Sequence, residues 1–523
     1  MKNKKREILI ISIILIIQTI IFAIAGINKE YIHMDEAYSL GLSNYDKVEI
    51  QDSKDFYNQW HNGEYYEDYL AVQDKDIGKY KQVYENQKND VHPPVYYLLL
   101  RIAMGFSVNN YSKWPGIIIN MIIYVFITIF MYLILQKLFE GKTYNKEKAL
   151  TLAFISSITM ASITTAIYIR MYALSALNIL ITTYLHMKLL DGEKINIKLL
   201  IGIGVSALIG SLTHYYYLFY LAMLYITFAI KYIKQKQYKE LIYYTVTMGI
   251  AGILSLTIFP YSIQHMFFGY RGQGVISKLT NIPEFARSIK DYIIKTNRFA
   301  FNNLMYPIIL VSMGFAIYKI IKKQKILSEK NKYINHIIFS MLFYFLLVAV
   351  ASPWIELRYI MPICGLVFVV TIYYFEEIIS NLFSSKINNI IIITILVAIL
   401  IAPIIFKIEP EVGYSDKKEI VSKLGNELNV PTLYLFNSDA NRFLDDILLF
   451  SILDESYVAK DLDCTEENIK EMLKDKDISK GIVVFINEGQ ENDPKLELIL
   501  NATGLEKCDY LKRLNACDVY YLY

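Results

Sequence analysis

Ile117-Ile118-Ile119-Asn120-Met121-Ile122-Ile123-Tyr124-Val125-Phe126-Ile127-Thr128-Ile129-Phe130-Met131-Tyr132-Leu133-Ile134-Leu135 runs without a single formal charge. As a helix it is about long enough to cross a hydrocarbon core of roughly 30 Å. The runs Ile8–Ile24 and Ile390–Phe406 have the same character. Working outward from these, eleven apolar segments are marked: 8–26, 115–136, 149–168, 171–187, 199–213, 215–230, 241–260, 302–318, 335–352, 359–375 and 390–406. The chain has 523 residues and is 54% hydrophobic, with a mean hydropathy of +0.31. A soluble protein of this size needs far more polar surface. The reading is a polytopic α-helical membrane protein of about 11 transmembrane helices. Segment 94–106 is apolar but short, and is read as an interfacial helix.

Lys2, Lys4, Lys5 and Arg6 precede the first apolar run. Ala23-Ile24-Ala25 has the form of a signal-peptidase site, yet the run exceeds the roughly 7–15 residues of a signal h-region. An uncleaved first span is expected, with cleavage as the alternative. The connections Lys137–Lys148, Lys188–Lys198, Lys231–Lys239 and Lys319–Lys332 are also basic. The positive-inside bias then predicts a cytoplasmic N-terminus and puts all of these inside. The loop 27–94, the loop 261–301 and the tail 407–523 fall on the extracytoplasmic side.

Residues 407–523 hold 14 Lys and Arg against 24 Asp and Glu, a net of −10, which leaves +13 for residues 1–406. Two domains are expected: a transmembrane catalytic domain over 1–406 and a soluble, extracytoplasmic α/β domain over 407–523. In the second, β-rich runs at Thr432–Phe436, Ser456–Ala459, Gly481–Asn487 and Asp518–Tyr523 alternate with helical stretches near 440–452, 465–475 and 494–503. A Gly-rich phosphate loop or nucleotide fingerprint is not found, so a nucleotide-sugar donor has no evident seat. The four cysteines, Cys364, Cys464, Cys508 and Cys517, lack metal-ligand spacing. Cys508 and Cys517 are candidates for pairing in an oxidising compartment.

Five short motifs stand at the ends of apolar segments. His33-Met34-Asp35-Glu36-Ala37-Tyr38 places two carboxylates just past the first span. It reads either as a polar loop start or as functional charge near the membrane. Val91-His92-Pro93-Pro94 launches a helix, and His92 there is a candidate phosphate donor. Tyr168-Ile169-Arg170-Met171-Tyr172 puts an arginine in a short outer link. A snorkelling side chain is the plain reading and a forked phosphate ligand the sharper one. Thr213-His214-Tyr215-Tyr216-Tyr217 looks mostly like an aromatic belt. Glu356-Leu357-Arg358-Tyr359 stands at the head of a span, and Tyr270-Arg271-Gly272 adds a further outer arginine. Three outer arginines facing first-loop acids point to an anion-binding cavity at the membrane surface.

Taken in order, these motifs resemble the GT-C glycosyltransferases, in the bacterial branch similar to dolichyl-phosphate-mannose protein mannosyltransferases and the lipid A aminoarabinose transferase. The matching pattern is Asp-Glu-Ala-Tyr, His-Pro-Pro, Arg-Met-Tyr-Ala-Leu, Thr-His-Tyr and Arg-Tyr-x-x-Pro, from residue 35 to 362, over about the first 400 residues. The resemblance implies a sugar donor carried on polyprenyl phosphate and an inverting transfer to an extracytoplasmic hydroxyl of an unspecified glycan, lipid or protein. It implies Asp35 as the base, assisted by Glu36, with Arg170, Arg358, His92 and Arg271 on the donor phosphate. His33, Tyr172, His214 and Tyr359 are the candidate substrate contacts. No cofactor is required by the pattern. Asp35, Glu36 and a histidine leave a divalent cation open, without a compact metal motif. Two other readings compete: a flippase of a lipid-linked sugar, which needs ionisable or broken-helix features deep in the bilayer, and an idle relative acting as a scaffold.

Overall fold

The structure is a computed structural model, and it describes residues 2–46, 50, 55–192, 196–268, 278, 281–327, 331–380, 382–411, 429–436, 440–460, 464–487, 492–514 and 517–523. Two compact units emerge. One comprises Met1–Gly26, Val91–Tyr96 and Ile117–Glu411; the other comprises Ile27–Asp90, Tyr97–Gly116 and Val412–Tyr523.

The first unit is helical. Among the described residues, eight helices are long and apolar enough to cross a membrane, and two bent pairs raise this to 10. This is a multi-pass membrane protein. Each of the eleven apolar segments is met by a helix, but three depart from a plain span. Segment 199–213 becomes the 15-residue helix Ile197–Ser211. Segment 149–168 is broken into Asn145–Ser157 and Met160–Ile167, bent by 57°. Thr159 causes the restart: its hydroxyl caps Ser162 N and its backbone is extended. Segment 302–318 belongs to a pair, Ile282–Ala300 and Met305–Ile321, bent by 99°. Asn302 and Asn303 take φ of 51° and 71° at this corner, a region that Asn tolerates better than most residues. Asn297 Oδ1 then accepts from Met305 N at 3.0 Å and seals the turn.

Polar side chains tie the spans together. Gln18 Nε2 donates to Tyr124 O at 3.3 Å, and Thr128 Oγ1 donates to Gln18 Oε1 at 2.8 Å. Such contacts hold helices where apolar burial gives no drive. The basic links meet acidic residues on neighbouring helices: Lys137 and Lys332 with Asp191, Lys142 with Glu377, Lys148 with Glu376. Asp191 closes the 20-residue helix Tyr172–Asp191. Arg170, just before its start, therefore lies about 30 Å away along the axis.

The second unit contains a six-stranded sheet of β1 (Trp60–Asn62), β2 (Thr432–Phe436), β3 (Glu455–Lys460), β4 (Ile482–Asn487), β5 (Cys508–Arg513) and β6 (Cys517–Leu522). The order is β1-β3-β2-β4-β6-β5. β2 runs parallel to β3 and β4, and the outer pairings are antiparallel. All five residues of β2 are buried, as expected of a central strand covered on both faces. The four strands expected from sequence form with shifts of a residue or so. β1 and β5 were not expected. β1 comes from the segment read as the first loop and is hydrogen-bonded directly onto β3. Gly63 follows it where a Cβ would strike the Ser451 carbonyl, so only glycine fits. Among its described residues, that first segment forms the helices Met34–Asn44, Gly63–Leu70 and Tyr80–Asn89. Cys508 and Cys517 form no disulfide. Each begins its strand, and because β5 and β6 are antiparallel, with Cys508 opposite Leu522, the two stand at opposite ends of the ladder.

Candidate functional site

In the second unit, His33 caps the helix Met34–Asn44. Its Nδ1 accepts from Asp35 N at 3.1 Å, and Glu36 Oε2 accepts from His33 N at 2.9 Å, a reciprocal capping box. Asp445 Oδ1 accepts from Met34 N at 2.7 Å. Two acids in the first turn also suit the positive end of the helix dipole. Glu36 is engaged a second time: its other oxygen pairs with Lys29 Nζ, and both side chains have 0% exposure, while Asp35 keeps 19%. Burial lowers the affinity of Lys29 for its proton, and Glu36 offsets part of that. Lys113 donates to the carbonyls of Ile27 and Lys29. Burial, and then the charge of Lys29, depress it as well.

In the first unit, the short links between helices gather a basic and aromatic cluster. Arg170 follows a tight turn in which its own N–H donates to Tyr168 O at 2.7 Å. Asn120 Nδ2 donates to the same carbonyl at 2.6 Å and pins the link. Pro93 and Pro94 deliver His92, and Val95 N donates to Leu212 O at 3.1 Å, tying that start to the end of Ile197–Ser211. Arg170 Nη2 and His92 Nε2 are 3.5 Å apart, and both residues are 4% exposed. The His92 and His214 rings lie 6.2 Å apart, and Tyr172 lies 5.5 Å from His214. Tyr172 stacks on Tyr168 at 5.9 Å. The series continues through Tyr216 to Tyr359, 5.8 Å apart, and Arg358 sits 5.1 Å above the Tyr359 ring. Tyr344 donates to Tyr359 O at 2.8 Å and fixes that turn.

Six of the residues singled out from sequence, His92, Arg170, Tyr172, His214, Arg358 and Tyr359, thus join one string. His33, Asp35 and Glu36 share another turn. Arg271 lies outside the described residues.

The string extends into groups that sequence reasoning missed. Lys295 Nζ pairs with Glu411 Oε1 at 2.7 Å and Glu356 Oε2 at 3.2 Å. Burial raises the Glu411 pKa, while Lys295 and Arg358 pull it down. Lys29 was missed too. A group of three or more His, Cys, Asp or Glu able to hold a metal is absent among the described residues.

The sequence matches no family model and no curated protein. Solved structures do resemble the fold. The crystal structure of ArnT from Cupriavidus metallidurans bound to undecaprenyl phosphate superposes with a TM-score of 0.50 at 7% identity, covering 98% of this chain and 97% of that chain. The chain shares its fold with that ArnT. The apo state of the same ArnT gives a TM-score of 0.47 at 9% identity, over 100% of this chain and 98% of that one. The gathered arginine and histidines occupy short links at helix ends, where a low local dielectric strengthens their electrostatic interactions.

Proposed function

We propose that this chain is a membrane glycosyltransferase that moves a sugar from a polyprenyl-phosphate donor to an acceptor hydroxyl outside the cytoplasm, inverting the anomeric centre. The observation that carries the reading is the buried contact of Arg170 with His92, set among tyrosines in a GT-C fold. A guanidinium and an imidazole side by side are a donor set matched to a phosphate oxygen. The likeness to an ArnT that was crystallised with undecaprenyl phosphate supports the same ligand class here.

In this reading the acceptor oxygen attacks the anomeric carbon and its proton passes to Asp35. The bond from that carbon to the phosphate oxygen breaks, and its electron pair leaves with polyprenyl phosphate. Arg170 and Arg358 take up the growing charge, with His92 beside them. Arg271 is assigned a supporting role in the same step, and His33, Tyr172, His214 and Tyr359 line the substrate. Glu36 acts by position: its carboxylate is committed to Lys29 and to the His33 N–H. Asp35, next to it, keeps access to solvent. The basic links face the cytoplasm, and the acidic tail lies outside.

The test is transfer from radiolabelled polyprenyl-phosphate sugars by the purified protein in liposomes. Asp35→Asn at intact expression abolishes transfer. Unchanged turnover removes Asp35 from the chemistry. Movement of the lipid-linked sugar across the bilayer without any transfer overturns the enzyme reading in favour of a flippase.

A further inference from the structure

The second unit carries a cavity of about 590 Å³ that the transfer reading does not use, within the size range of small-ligand sites. One wall is the outer pair of the sheet, where Trp60 on β1 stands opposite Tyr457 on β3 with ring centroids 5.4 Å apart. The facing wall is the helix Glu466–Leu473 and the turn after it. Trp60 is fixed: its Nε1 donates to Met472 O at 2.9 Å. Lys476 stands 4.3 Å from the centre of the indole and is held there by Glu455. The cavity therefore has a rigid aromatic wall with an ammonium already against it.

The rim adds amides and carboxylates. Asn468 and Glu471, three apart on one helix face, and Asp475 beyond them are exposed. Asn58 and Gln59 line the cavity as well. Asn58 has φ of 58°, which an asparagine adopts at a turn more readily than most residues. Amides donate and accept in one plane, and carboxylates accept twice. Such a rim suits neighbouring hydroxyls, and an aromatic wall suits the C–H faces of a sugar ring. Other ligand classes fit poorly. Lys476 against Glu471 and Asp475 leaves no net attraction for phosphate or nucleic acid. A lipid would find apolar surface only at the rings and Met472. A peptide strand added to β1 would have just three residues to pair with, and short edges are poor templates.

We infer that this cavity is a saccharide-binding site, taking two or three sugar units of a glycan chain between Trp60 and the helix Glu466–Leu473. It goes beyond the transfer reading and stands without it. If that reading also holds, the site is a natural grip for a glycan acceptor.

The experiment uses the full chain in nanodiscs, because sugar-headed detergents would compete. Maltohexaose, chitohexaose and mannohexaose are titrated by calorimetry, with a hexathreonine peptide alongside. Saturable binding of at least one hexasaccharide is expected. Trp60→Ala should weaken it by about tenfold or more, as when a central aromatic anchor is truncated. Asn468→Ala with Glu471→Ala, both exposed and harmless to the fold, should weaken it by roughly threefold to tenfold. Asp35→Asn should leave it unchanged, which separates this site from the transfer chemistry. No binding by any of the three sugars, binding untouched by the exposed double variant, or binding of the peptide alone overturns the inference.

Discussion

At the first turn of Met34–Asn44 a buried carboxylate meets a buried ammonium; at the link before Tyr172–Asp191 a buried guanidinium meets an imidazole. The first pairing is neutral in sum, and every atom of Glu36 has a local purpose: one oxygen caps the helix and the other holds Lys29. The second sets a guanidinium, which can only donate, against the Nε2 of His92. A buried ion pair rarely raises stability over an apolar pair of the same volume, but it fixes geometry. A buried guanidinium has the fork that a phosphate would need in the proposed reading. The same device, charge taken out of water, fixes a turn in one unit and, in the proposed reading, serves recognition in the other.

The largest effect should follow from breaking the recognition side. Arg170→Ala should lower the transfer rate by about 10²–10³, the usual loss when a group that stabilises developing charge is removed. Arg170→Lys should recover only part, because an ammonium lacks the fork. Undecaprenyl phosphate should cease to raise the melting temperature of the Ala variant. If Arg170→Ala keeps full turnover, the two turns are alike after all and both are structural.

Breaking the placement side should look different. Lys29→Met strands a buried carboxylate and should cost about 3–5 kcal/mol of stability. Adding Glu36→Leu should return part of that, since the cavity then holds two apolar groups while the cap on the His33 N–H is lost. Thermal unfolding reads the stability. The sharper readout is transfer by the stable double variant: if Lys29 and Glu36 only hold the fold, activity returns with stability. If they position Asp35, turnover stays low while the donor KM holds near its original value. A third variant, His92→Gln, keeps a donor and the approximate volume. It should cost about tenfold in turnover, roughly the worth of one weakened hydrogen bond to a charged group.

The fold was legible because its signals are local and long. Nineteen uncharged residues at Ile117–Leu135 and the charge reversal at residue 407 each decide something without outside help. The helix-end motifs were legible for the same reason: His92, Arg170, His214 and Arg358 stand beside prolines, tyrosines and span ends. What escaped depends on partners distant in sequence. Lys29 is one of 53 basic residues and reads as a loop charge until Glu36 is seen against it. Lys295 meets Glu411 across 116 positions, and Glu411 hides among the acids of the tail. β1 has three residues, Trp-His-Asn, too few for an alternation to register. The break at Thr159 falls inside an apolar pattern that continues on both sides, and the corner at Asn302 joins an apolar helix to a charged one that reads as loop.

Glu411 gives the smallest and most discriminating prediction, because it stands between the two cases. Like Glu36 it has a lysine partner, and like Arg170 it belongs to the string of links that includes Arg358. Its pKa lies above the ordinary glutamate value of 4.5, chiefly through burial. A carboxyl raised on folding binds its proton more tightly in the native state. Its contribution to stability is fully present below the unfolded pKa and is lost as pH rises through the native one. Wild type should therefore gain on Glu411→Gln as pH falls from 7 toward 4, seen as a converging or reversing difference in melting temperature. The opposite slope, with wild type losing ground in acid, would mean that Lys295 holds Glu411 ionised. In that case Glu411 belongs with the closed pair at Lys29 and Glu36, and the string of links ends at Arg358.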